Sequence, residues 1–143
     1  MEHDSSEKKS VHIRIVTDIR DGHRKETTAM DAKGMYYKKG ETIYLLYKEK
    51  QEVGEIQTIV KVAQEEVSVT RSGAVKMKQV FRKKESLGST YISPFGRMDM
   101  ETLAHNIEYK QMNKKGRLFM TYDLHMQGDY AGKYALTITF KEA

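Results

Sequence analysis

Cysteine is absent from this chain of 143 residues, so disulfides and thiolate-ligated zinc are excluded. Proline occurs once, at Pro94. No apolar run approaches the roughly 18 residues that a membrane-spanning helix needs. The first ten residues are polar and lack the apolar stretch of a signal peptide. Residues 1–10 are expected to form a disordered tail, and 11–142 a single domain that is soluble and cytoplasmic. Catalytic motifs are equally scarce. There is no nucleophile elbow, phosphate-binding loop or dinucleotide fingerprint. Ser72-Gly73 reads as a turn.

What is present is glycine and alternation. Nine of the ten glycines, all but Gly132, fall between runs that read as β-strands. Val11, Ile13 and Ile15 alternate with His12 and Arg14. Met35 to Tyr37 reads as a short strand after a break at Gly34. Ile56, Thr58, Val60 and Val62 alternate with Gln57 and Lys61. Val67, Val69 and Arg71 alternate with Ser68 and Thr70, and Val75, Met77, Gln79 and Phe81 with Lys76 and Lys78. Leu118 to Met126 and Tyr130 to Phe140 repeat the pattern. A period of two marks a strand with one buried face. Gly132 inside the last strand predicts a bulge or sharp bend. Residues 98–112 are ambiguous: Met100, Leu103, Ala104 and Ile107 fit a helix, while Met98, Met100, Thr102 and Ala104 fit a strand.

Short connections make sequential strands antiparallel neighbours. A meander of roughly eight to ten strands leaves two exposed edges unless it closes. The expected fold is therefore all-β, an up-and-down barrel, with the first strand paired to a late one. The interior of such a barrel has room for side chains or for one small ligand.

The run Ile59-Val60-Lys61-Val62, then Glu66-Val67, Val69 and Arg71-Ser72-Gly73-Ala74-Val75-Lys76-Met77 with Phe81, is distinctive. So are Phe95-Gly96, Gly116-Arg117-Leu118 and Tyr122-Asp123 followed by His125. Together they resemble the YwiB-like proteins of Gram-positive bacteria, a domain of unknown function, over nearly the whole chain. The resemblance implies a calycin-like (lipocalin-like) barrel without a secretion signal, and it favours a strand over 98–104. It implies no activity, cofactor or catalytic residue.

The side chains suggest where a site would lie. Arg71 shares a face with Val67 and Val69, and an inward guanidinium needs a partner. Glu49 and Glu101 are candidates, a rim position reaching water is another solution, and an anionic ligand is a third. Tyr47, Tyr91 and Tyr122 offer apolar walls with a polar end, which suits either a pocket or a filled core. Gln79 and Thr58 would add inward polar groups. Asp123 and His125 share a face, but Tyr122, Leu124 and Met120 claim the core and leave the pair outside. His12 and His105 join them only if the fold brings them near. Metal binding has no ligand-spaced cluster to support it, and the nine methionines read as core fillers.

The net charge is +5. Local basic runs lie at Lys76, Lys78, Arg82, Lys83 and Lys84 and at Lys110, Lys114, Lys115 and Arg117. Lysines on solvent faces also protect strand edges, so weak or no RNA binding is expected at physiological salt. The leading expectation is a non-enzymatic barrel that takes a small, partly apolar, anionic ligand at its mouth. Arg71, Tyr47, Glu49, Gln79, Tyr91 and Tyr122 would line the site, with no cofactor and no metal. The alternative is a solid barrel that binds RNA or a protein through its surface. An enzyme ranks last. A cavity at Arg71 favours the first reading. A filled interior with basic side chains gathered on one outer face favours the second.

Overall fold

A computed structural model describes residues 7–143. Most of the tail expected over residues 1–10 lies outside this range, and the first strand begins at Lys9. Ten strands follow one another along the chain: β1 (Lys9–Asp21), β2 (Arg24–Lys39), β3 (Thr42–Gln51), β4 (Gly54–Val62), β5 (Val67–Gly73), β6 (Lys76–Phe81), β7 (Ser86–Ser93), β8 (Gly96–Met112), β9 (Lys115–Met126) and β10 (Asp129–Glu142). Each pairs antiparallel with the next, and β1 pairs with β10, so the sheet is a closed barrel. Closure of the first strand onto a late one is as the sequence predicts.

Alternation sets the two faces. Val11 and Ile13 on β1, Leu45 on β3, Val60 on β4, Val67 on β5, Phe81 on β6, Leu118 and Met120 on β9 and Ile138 on β10 all point inward and are buried. The intervening residues face out. Among the described residues, no helix is long and apolar enough to cross a membrane. The outer face carries Arg14, Lys33, Arg117 and Lys141 within its strands, where a membrane barrel needs an apolar band.

Residues 96–112 form one long strand, and a bulge between Ala104 and Asn106 explains their ambiguity. Thr102 and Ala104 face inward before the bulge and Ile107 and Tyr109 after it. One extra residue joins two period-2 runs of opposite phase. The result places apolar residues at 100, 104 and 107, the spacing of a helix face. The bulge expected at Gly132 is present: the register of β9 with β10 shifts between Tyr130 and Gly132, and Gly132 has φ +138°.

Gly34 departs from expectation. It breaks no strand, for β2 runs straight through it. A Cβ there would fall on the Leu46 carbonyl oxygen and 2.6 Å from Ile13 Cδ1, so glycine permits close approach of three strands. Gly88 and Gly116 likewise lie inside strands. The turn before Gly116 is made by Asn113 at φ +45°, so its nearest glycine is not its marker.

One end of the barrel is plugged. Tyr36 and Phe140 stack there with ring centroids 5.2 Å apart. Gln111 donates to the Tyr36 hydroxyl and accepts from the Tyr109 hydroxyl, both at 2.9 Å. A Cβ on Gly116 would overlap the Phe140 ring. At the other end the strands are unequal. β2 stops pairing with β3 at Gly34–Tyr47, then continues for the length of the β1–β2 hairpin to Arg24, whereas β3 ends at Gln51. The rim is therefore high at that hairpin and low beside it.

Gly34→Ala tests the close approach. Overpacking of this kind costs about 1–3 kcal/mol, and the clash is with backbone, so a loss near 3 kcal/mol is expected in urea unfolding. Gly40→Ala, at φ +60° in open space, is expected to lose only about 1 kcal/mol. Equal losses would show that packing at Gly34 is not the constraint.

Candidate functional site

Cross-strand register assembles a band of side chains on the inner wall. Tyr47 on β3 opposes Thr58 on β4, Thr58 opposes Arg71 on β5, Arg71 opposes Met77 on β6, and Met77 opposes Tyr91 on β7. Glu49 lies one inward position nearer the mouth, and Gln79 one inward position deeper. Tyr122 belongs to the opposite wall, on β9, between Phe81 at 4.9 Å and Tyr134 at 5.3 Å. All six residues expected to line a site thus face the lumen. Thr58 joins them as an inward polar position.

Arg71 lacks the partners considered from sequence. Among the described residues no carboxylate lies within ion-pair distance of it. Glu101 faces outward, opposite His125. Glu49 faces the lumen, close enough to raise the Tyr47 pKa, without an ion pair to Arg71. The Arg71 Nε is sealed from solvent with no acceptor. The Thr58 and Ser89 hydroxyls are also buried without a hydrogen bond of good geometry, although Tyr47 lies near enough to Thr58 to feel its dipole. These three are the buried side-chain polar atoms left unpartnered among the described residues, and all three face the same lumen. Buried polar atoms are normally satisfied.

The phenols around Arg71 are held neutral. Burial pushes the Tyr47 pKa up, and the Arg71 charge only partly opposes this. Burial pushes Tyr122 well above its usual range, with Tyr134 adding to the effect and Arg71 opposing it. Neutral phenols donate hydrogen bonds. The band thus sets a guanidinium and neutral hydroxyl donors beside the Glu49 carboxylate. Toward the mouth, Arg71, Gln79, Tyr91, Met126 and Tyr134 are only half-buried although the sheet closes around them. Solvent therefore reaches down to this level, whereas Val60, Val67 and Phe81 below it are sealed.

Outside the barrel, the β8 bulge gathers a cluster that spacing alone does not reveal. His105, the extra residue, reaches Asp123 with Nε2 to Oδ2 at 2.7 Å. The Tyr130 hydroxyl donates to Asp123 Oδ1 at 3.2 Å. His125 packs its ring edge on Tyr130 and is not bonded to Asp123. The group clips β8, β9 and β10 together. Among the described residues no three His, Cys, Asp or Glu side chains lie close enough to hold a metal ion.

Two grooves lie on the outer surface, and Arg71 lines neither, so neither is the cavity expected beside it. One, of about 980 Å³, crosses β2, β1, β10, β9 and the end of β8; the other, of about 590 Å³, continues it across β3 and β4. The basic runs of the sequence divide accordingly. Lys110, Lys115 and Arg117 line the larger groove. Lys76 and Lys78 point out from β6 elsewhere, and Arg82 is tied to Glu66 and Glu85.

The architecture defines a class: a closed ten-stranded antiparallel meander barrel. The comparisons agree. The chain matches the family described as Domain of unknown function (DUF1934) over residues 13–138, and it belongs to that family. It is 35% identical to the "Uncharacterized beta-barrel protein YwiB" of Bacillus subtilis (strain 168) over 132 residues, 92% of each chain. The crystal structure of the ywiB protein from Bacillus subtilis superposes with a TM-score of 0.88 at 31% identity, covering 97% of this chain and 95% of that one.

Asp123 gives a pH prediction. Burial raises its pKa, but the hydrogen bond and charge of His105 outweigh this and leave it below the ordinary value of 3.8. A depressed folded-state pKa contributes stability that is complete above the unfolded value and is lost as pH falls through the folded one. Asp123→Asn should therefore lower the melting temperature at pH 7, and the gap to the unchanged protein should close as the pH falls below the ordinary carboxylate range. A gap independent of pH would show that the carboxylate charge is not what matters.

Proposed function

We propose that this barrel is a binding protein, not an enzyme, and that it takes a small, partly apolar anion through its open end. The observation that carries this reading is the Arg71 Nε, buried and without an acceptor, in a lumen that also holds the unpartnered hydroxyls of Thr58 and Ser89. An anionic head group would accept from Arg71 and from the neutral phenols of Tyr47 and Tyr122. Tyr91, Met77 and Tyr134 would cover the apolar remainder, and Gln79 and Glu49 would meet its polar edges. Buried cations are costly unless satisfied, and a ligand anion satisfies this one. No hydroxyl of the band is hydrogen-bonded to a carboxylate or imidazole among the described residues, which supports binding over catalysis. The reading supposes a soluble cytoplasmic protein, in keeping with the charged outer face.

Native mass spectrometry of protein purified from its own host tests this directly. A retained small molecule is expected, and Arg71→Met should lose it. The same variant should lose binding of the anionic fluorophore anilinonaphthalene sulfonate. Its thermal stability should be unchanged or slightly raised, because a half-buried guanidinium whose sealed Nε lacks an acceptor has been removed. A loss of about 3–5 kcal/mol, the usual cost of breaking a buried ion pair, would make Arg71 a structural residue and end this reading.

A further inference from the structure

The larger outer groove is independent of the lumen. Its charged lining comes from cross-strand neighbours. Lys33, His12, Lys141 and Lys115 form one row across β2, β1, β10 and β9. Asp31, Arg14, Thr139, Arg117 and Lys110 form the next, across β2, β1, β10, β9 and β8. Adjacent strands are about 4.8 Å apart, so Lys141 with Lys115 and Arg117 with Lys110 are direct cross-strand neighbours, and Lys33 stands two strands from Lys141. Arg14 is committed to Asp31 by two hydrogen bonds of 3.0 and 3.1 Å. Lys33, Lys110, Lys115, Arg117 and Lys141 are all exposed and have no ion-pair partner among the described residues.

The distribution of charge is uneven. The groove holds six Lys or Arg residues and one acid, a net +5. The whole chain also carries +5, so the remaining residues balance. Like charges side by side on a sheet are unfavourable, and a solubility device would spread them over the surface. The groove is also bordered by apolar side chains. Met112 is 61% exposed at one end, and the continuing groove is lined by Met35, Leu46 and Ile59. Arg117 stacks over the Phe119 ring, 5.4 Å from its centroid.

We infer that this outer groove binds the sugar–phosphate backbone of single-stranded RNA. The five free cations would neutralise phosphates, as in other single-strand grooves, and unpaired bases would lie against the flanking aliphatic side chains by apolar contact. A duplex keeps its bases inside and has no use for those side chains. A concave groove also cannot meet a flat lipid surface along its length. The site is sequence-tolerant, since backbone contacts carry no sequence information. It is weak at physiological salt, since its affinity is electrostatic.

Fluorescence anisotropy with a short fluorescein-labelled oligouridine tests the inference. Low-micromolar binding is expected at 50 mM salt. With a slope of about 0.7 logarithmic units per phosphate contact for each tenfold rise in salt, five contacts should make affinity fall about 100-fold by 200 mM. The triple change Lys115→Glu, Arg117→Glu, Lys141→Glu should weaken binding at least about 30-fold at 50 mM salt, by the same electrostatic argument. Lys76→Glu with Lys78→Glu, on a different outer surface, should leave it nearly unchanged. Should charge reversal impair folding, Lys33→Gln with Lys115→Gln and Lys141→Gln keeps the test, with a shallower salt slope expected. Arg71→Met should bind RNA normally, so failure of the lumen reading leaves this one standing. Absence of binding at 50 mM salt would overturn the proposal. So would equal losses in the groove and β6 variants, equal affinity for duplex RNA, or preferential binding to phosphatidylglycerol vesicles.

Discussion

The pairing of Val11–Arg20 on β1 with Lys133–Glu142 on β10 joins the two ends of the meander, and the other features of the barrel rest on it. Without it, two strands of more than ten residues would present unpaired backbone to solvent. With it, one face of every strand is turned toward a common interior. That enclosure gives Arg71 its meaning. On an open sheet its guanidinium would lie in water. In a closed one it looks into a space bounded by Tyr47, Tyr122 and Phe81. Closure also draws the outer faces of β2, β1, β10 and β9 into one continuous surface, so lysines more than a hundred residues apart in the chain line one groove.

Much of this was legible from residue order. Period-two alternation gave the strands, short joints gave their antiparallel order, and the hazard of open edges gave closure. The inward facing of Arg71, Gln79 and Tyr122 followed from the same phase counting, whereas Tyr47, Glu49 and Tyr91 were picked out for their chemistry. The failures are instructive because they have local causes. Gly34 looks like a turn because glycine serves both turns and close contacts, and only the third dimension shows the Leu46 carbonyl beside it. The bulge at His105 counterfeits a helical period because it reverses the phase of a strand. Its second effect, bringing His105 to Asp123, depends on a register between β8 and β9 that no spacing encodes. The outer groove was hidden for the same reason. Lys33 and Lys141 stand alone in sequence, and they acquire company only through the β2–β1–β10 pairing.

The interior and exterior solve opposite electrostatic problems. Inside, the Arg71 cation stands among neutral phenols with the Glu49 carboxylate nearby, where lower polarity makes each interaction stronger and a missing partner more costly. Outside, several cations share water, where each interaction is weak and only their number counts. The first arrangement suits one small molecule held by direction. The second suits a long flexible polymer held by charge density. One sheet supports both because alternate residues along a strand belong to different solvents.

The unequal strand lengths have a consequence for traffic. At the open end the β1–β2 hairpin continues well beyond β3, while the walls of β5 and β6 are short. The opening therefore faces sideways, like the lip of a jug. Under the proposed binding role, a molecule entering the lumen would cross the low wall formed by β3 to β6, which is the wall that carries Arg71, and would pass that residue before meeting the taller strands opposite. Its exchange with the surroundings would then be set by the grip of that wall.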